Sequence, residues 1–211
     1  MAAEAGGTGR RGRGRPAGSR SGTLETRDRI LAAARQEFSA RGYDKTSIRS
    51  IATSAGVDPA LVHHYFGAKE QVFAAAIEVS FEPAFGVPDV LAAGPEGVGE
   101  RLARFFVTVW ENPVSRAPML AIVRSAVTND TAAGVLRGIV LRRLLERVAS
   151  ELEVPDPRLR AELAGAQMFG IAMMRYVIRL EPLASADIEE VIALVAPTLQ
   201  RYLTDPGPVG G

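Results

Sequence analysis

The chain has 211 residues, 47% of them hydrophobic and none of them cysteine. It can therefore bury a sizeable core, while disulfides, thiolate metal sites and cysteine nucleophiles are excluded. The formal net charge of +1 conceals a polarity: residues 1–23 carry five Arg and one Glu, and residues 67–211 carry fourteen basic against eighteen acidic side chains. A basic N-terminal third on an acidic body predicts a polyanion partner at one end only. No apolar run reaches the roughly 20 residues that span a bilayer. The basic, glycine-rich start lacks the apolar stretch of a secretory signal, so a cytoplasmic protein with no membrane partner is expected.

In chain order, residues 1–23 hold almost no apolar side chains and are expected to stay a disordered basic arm. Within it, Arg13-Gly14-Arg15-Pro16 resembles the core of the AT-hook, an Arg-Gly-Arg strip that follows a narrow minor groove. A merely solvated tail is the alternative. A long helix is expected from Leu24 to about Arg41, with its N-terminus near Leu24–Thr26 open to a phosphate and Gly42 as its stop. Two short helices follow, joined by a turn at Gly56 that can take positive φ. Thr46 is the expected cap of the first helix, and Ile48, Ile51 and Ala52 form its apolar face. Asp58 caps the second, Pro59 opens it, and Leu61, Val62, Tyr65 and Phe66 form its buried side. Such a pair is a helix-turn-helix, whose second helix fits the DNA major groove. A fourth helix is expected over 69–81.

The Pro- and Gly-rich stretch 82–99 closes this first unit. Further helices are expected near 97–111, 116–128, 131–152, 156–180 and 184–203, with Pro113, Pro118, Pro155, Pro157 and Pro182 at the breaks and Pro197 inside the last. The fold class is all-α. A three-helix DNA-binding domain (24–81) precedes a helical ligand-binding and dimerisation domain (82–203), and 204–211 is a flexible tail.

Residues Ile30–Phe73 resemble the N-terminal domain of TetR-family transcriptional regulators. The likeness rests on Phe38-Ser39-Ala40-Arg41-Gly42-Tyr43, Thr46-Ser47-Ile48-Arg49-Ser50-Ile51-Ala52, Ala55-Gly56-Val57, His63-His64-Tyr65-Phe66 and Lys69-Glu70. It implies a homodimer that binds double-stranded DNA and answers to a small-molecule effector. It also implies that Arg49 reaches a guanine edge or a phosphate, and that Lys69 reaches a phosphate. Two departures stand out. His63 replaces the tyrosine that many members hold against the DNA backbone, and Asp58-Pro59-Ala60-Leu61 replaces a more polar start to the reading helix. Pro59, Ala60 and Leu61 could instead touch thymine methyls. Thr46, Ser47, His63, His64 and Tyr65, with Arg13 and Arg15 of the arm, complete the expected DNA contacts. For Tyr65, packing is an equal alternative.

No metal and no cofactor are expected. The two histidines are adjacent, about 100° apart on a helix, so they cannot share an ion. Neither a P-loop nor a Rossmann glycine pattern occurs, and no general base is left over for an enzyme. In the body, Phe105, Phe106, Trp110, Met119, Phe169 and Met173 are the expected wall of an apolar pocket, oriented by Arg124, Gln167 and Arg175. Core packing alone is the alternative. The last two helices are expected to pair with a second copy through Gly165, Ala166, Gly170 and Ala172 and the stripe Val191, Ile192, Val195, Leu199. The chain is expected to be a sequence-specific regulator, most simply a repressor released by a small apolar ligand. An architectural DNA-binding protein relying on the arm is the alternative, and a helical enzyme a more distant one.

Overall fold

The computed structural model describes residues 19–206; Arg13, Arg15 and the residues from 207 onward lie outside them. Among the described residues there is no strand, and no helix is long and apolar enough to cross a membrane. Helix α1 spans Ser19–Lys45, broken at Gly42 where φ is 74° and ψ 177°. It starts earlier than expected, so Leu24–Thr26 lie inside the helix and offer no free N-terminal amides for a phosphate. Then come α2 (Ile48–Ala55), α3 (Pro59–Phe66) and α4 (Lys69–Phe81).

The stretch expected as a break continues instead as a 3₁₀ turn (Glu82–Gly86) and α5 (Val87–Ala92). Pro83 sits in the first turn, where a missing N–H costs nothing. The body adds α6 (Val98–Glu111), α7 (Pro113–Thr128), α8 (Asp130–Val140), α9 (Glu146–Ser150), α10 (Pro157–Ala172) and α11 (Ile188–Thr204). Helix α7 opens at Pro113, where the Asn112 side chain accepts from the Val114 amide at 2.9 Å, so Pro118 lies inside it rather than at a break. Helix α11 starts at Ile188, later than expected, because Asp187 caps it through the Glu189 amide at 2.9 Å. Two expected continuous helices carry π turns, at Leu141–Leu145 and Met173–Ile178.

Two principal cores hold these helices. In the first, Ile30, Ala34 and Phe38 of α1 meet Ile51, Val62, Val72, Phe73 and Ile77, and Ile122, Ala132 and Ile139 of α7 and α8 close it from the body. Phe38 and Tyr43 meet Phe73 edge-on, each at 4.9 Å between centroids. The second core packs Leu102 and Ala103 of α6 against Met168 of α10 and Ile192, Leu199 and Leu203 of α11. There α6 and α11 approach so closely that a Cβ on Gly99 would lie 2.5 Å from the backbone nitrogen of Gln200 and collide with the Ala196 carbonyl. Gln200 ties the crossing by accepting from the Gly99 amide and donating to the Pro95 carbonyl.

That packing corrects the expected dimer stripe. Val191, Ile192 and Leu199 are buried within the protomer, with Val195 packed beside them, because α11 turns that face to α6 and α10. Ala172 is likewise buried, against Trp110. The exposed large apolar side chains on these elements include Leu159, Leu163, Phe169, Met174, Val177 and Ile178, with Leu194 of α11 at 74% exposure.

Candidate nucleic-acid interface and ligand cavity

The helix-turn-helix is built by caps. Ser47, not Thr46, caps α2: its hydroxyl accepts from the Ser50 amide at 3.0 Å, and Ser50 returns the bond to the Ser47 amide at 3.0 Å. Thr46 is 2% exposed, and its hydroxyl is turned to the Gly42 and Glu37 carbonyls at 2.8 and 3.1 Å. It therefore serves the broken end of α1, and its side chain has no open path to a phosphate. Gly56 closes α2 in the left-handed region (φ 64°, ψ 41°). Asp58 caps α3 through the Ala60 amide at 2.7 Å, with Pro59 next, as the sequence predicts.

On α3 only Val62 is buried, so the expected buried role for Leu61 is corrected. Leu61 is 38% exposed, and Ala60, His63 and His64 are exposed beside it. No acidic or permanently cationic side chain occurs on this helix. His63 Nδ1 lies 3.1 Å from the Gly67 carbonyl. A carbonyl only accepts, so Nδ1 carries a proton, and in the neutral ring Nε2 is left as an outward acceptor. Tyr65 is half-buried against the first core, with His64 edge-on at 5.3 Å. Arg49 is exposed on α2 and enters no ion pair among the described residues.

Lys69 opens α4 with Nζ over the Tyr43 ring at 4.2 Å, and burial lowers its pKa from the ordinary lysine value. Tyr43 donates to Glu70 at 3.1 Å, and its phenol is pushed up to about 12 by burial and then by that carboxylate. Arg27, which sequence reading passed over, lies 4.9 Å above the Phe66 ring at the end of α3. Its sequence signal is faint, because Arg27 is one of several arginines along α1 and nothing local ties it to Phe66.

A joint links this head to the body. The Tyr43 amide donates to Ser125 Oγ of α7 at 3.2 Å, and Asn129, the cap of α8, donates to Asp44 at 2.7 Å. Helix α7 reaches further: Met119, Val123, Ala126 and Val127 line a partly open cavity of about 560 Å³ bordered by α6, α7, α8 and α10. Phe105, Phe106, Trp110, Met119 and Phe169 line it as expected, joined by Phe81 and Phe85. The expected polar groups do not. Arg124 is exposed off the wall, and Gln167 keeps a buried Oε1 without a partner outside the cavity. Met173 packs behind Trp110, and Arg175 donates to the Leu183 and Ala186 carbonyls at 2.5 and 3.0 Å, tying down the loop before α11. The ionisable wall residues are Arg137 and Glu162, neither singled out by sequence, because only the fold turns them to the cavity. Among the described residues no cluster of His, Asp or Glu is arranged to hold a metal.

The comparisons agree with this geometry. Residues 30–76 match the family model described as bacterial regulatory proteins, tetR family, and residues 96–203 match the tetracyclin repressor-like C-terminal domain. A TetR-family regulator of known structure from Streptomyces coelicolor A3 is 38% identical, with a TM-score of 0.67 over 91% of this chain and 99% of that one. The HTH-type transcriptional repressor NicS of Pseudomonas putida is 32% identical over 101 residues, 46% of each chain, so the match spans under half of that relative's length. The HTH-type transcriptional regulator UidR of Escherichia coli K12 is 40% identical over 52 residues, 25% of this chain and 26% of that one. The chain is a member of the TetR family of bacterial regulatory proteins.

Proposed function

We propose that this protein is a dimeric, sequence-specific DNA-binding regulator, a repressor whose hold on its operator is released by a small apolar molecule in the body cavity. One observation carries the reading: α7 lines the cavity and, through Ser125, also holds the end of α1 beside the helix-turn-helix. A ligand that favours one placement of α7 would thereby favour one placement of the reading head. It can shift that equilibrium only by its differential affinity for the two states. The NicS relative, described as a transcriptional repressor, supports the sign of the response.

At the DNA, Arg49 is the proposed base or phosphate contact. His63 and His64 face the groove, Pro59, Ala60 and Leu61 supply apolar contacts, and Ser47 and Lys69 border the phosphates. Tyr65 contributes through packing. Arg13 and Arg15 are proposed for the adjacent minor groove, on the strength of their Arg-Gly-Arg-Pro sequence alone. Two copies pair through the exposed apolar face of α10 and through Leu194, spacing two reading helices by roughly 34–36 Å per DNA turn.

Footprinting of the purified protein on the DNA flanking its own coding region tests this reading. A protected pair of half-sites is expected. Uniform, salt-sensitive coating of the fragment would replace the regulator with an arm-driven architectural protein.

A further inference from the structure

The wall of the body cavity is apolar apart from Arg137, near the end of α8, and Glu162 on α10. These two are not equivalent. Glu162 is already paired one turn back with Arg158, Nε to Oε1 at 3.4 Å. Arg137 enters no ion pair and no side-chain hydrogen bond among the described residues. A second cation stands against a wall residue, with the Arg143 guanidinium 5.4 Å from the centroid of Phe85. Six aromatic rings line the remainder: Phe81, Phe85, Phe105, Phe106, Trp110 and Phe169.

Such a wall offers a buried polar group no partner, so a ligand must keep its polar part at the exposed edge where Arg137 stands. The charge left uncompensated at that edge is positive. A guanidinium fork there matches a carboxylate or another planar anion in two parallel hydrogen bonds.

We infer that the cavity takes an apolar molecule bearing one anionic group, and that Arg137 receives the anion while the ring-lined interior receives the apolar body. The inference rests on the effector reading and narrows it to a charge class. A ligand of this kind exposes its charged end and buries its tail, and the cavity of about 560 Å³ is within the ordinary range for such molecules.

The full-length protein carries its own probe, since Trp110 is its one tryptophan and lines the cavity. Titrations of Trp110 fluorescence with decanoate, decanol and decylammonium compare three charges on one tail. Decanoate should bind at least about tenfold more tightly than the other two, as expected for a charge-assisted hydrogen bond. R137Q, at an exposed position, should bring decanoate to the level of decanol and leave decanol unchanged. E162Q should leave the order intact. Equal affinity for decanoate and decanol, or an order that R137Q does not alter, overturns the inference and leaves the effector reading standing. Preference for decylammonium that E162Q abolishes overturns it in favour of a cationic ligand. No response to any of the three overturns the effector reading of the cavity itself, and the inference with it.

Discussion

The head and the body are both helical, yet they are organised over different distances along the chain. In the head, the caps of α2 and α3 and the turn between them are satisfied within four residues: Ser47 with Ser50, Asp58 with Ala60, Gly56 with the Ala52 and Thr53 carbonyls of α2. In the body, the deciding contacts join residues far apart, such as Gly99 with Gln200 and Arg104 with Glu189, the latter pair at 2.6 and 2.8 Å. Under the proposed function, the locally capped unit keeps its shape while the larger body repacks around a ligand, and the α7 joint is the contact proposed to carry the difference. That division is what a ligand-responsive reading head requires.

The largest expected effect breaks the body alone. Gly99→Ala drives a methyl into the backbone of α11 and should cost about 3 kcal/mol, at the upper end for overpacking, seen as a fall in Tm. An unchanged Tm would show that α6 and α11 can separate, against the tight crossing. Arg49→Ala breaks only the head. Operator affinity should fall by about 5- to 150-fold, equivalent to 1–3 kcal/mol, with Tm and cavity binding unaffected. If the loss were equal on a scrambled duplex, Arg49 would be a phosphate contact rather than a base reader.

Ser125→Ala tests the joint between them. It removes the partner of the Tyr43 amide, costing roughly 1 kcal/mol of stability. The sharper readout is the effect of cavity ligand on operator affinity, which should shrink while ligand binding persists. Full retention of that effect would move the coupling to another contact. The smallest effect concerns Leu61. Replacing thymine by uracil within a half-site removes one methyl, and at one position it should weaken binding by about threefold, near the worth of one buried methylene. The Leu61→Ala variant should be insensitive to the same replacement. Sensitivity persisting in that variant would assign the methyl contact to Ala60 or Pro59.

The same contrast explains what could be read from the residues. Asp58-Pro59 and the glycines at 42 and 56 are local signals, and the structure follows each of them. The sequence points to Thr46 as the cap of α2, yet Ser47 serves, because the loop presses Thr46 against α1, which no local pattern records. In the body, hydrophobic periodicity found the helices but not which face turns inward. Val191, Ile192 and Leu199 form a stripe that suits a dimer or a core equally well, and only the close approach allowed by Gly99 decides for the core. Arg175 and Arg137 show the same limit. Both are lone arginines in apolar stretches, yet one ties a loop to its own carbonyls and the other edges the cavity.

The most direct measurement is the equilibrium affinity of the full-length protein for its footprinted operator and for a scrambled duplex at ~0.15 M salt, with and without a molecule that occupies the cavity. Coupling between cavity and reading head predicts binding to the operator at least about a thousandfold tighter than to the scrambled duplex, and loss of that margin when the cavity is filled. Equal binding to the two duplexes, or an operator affinity that does not change when the Trp110 signal reports a full cavity, would contradict it.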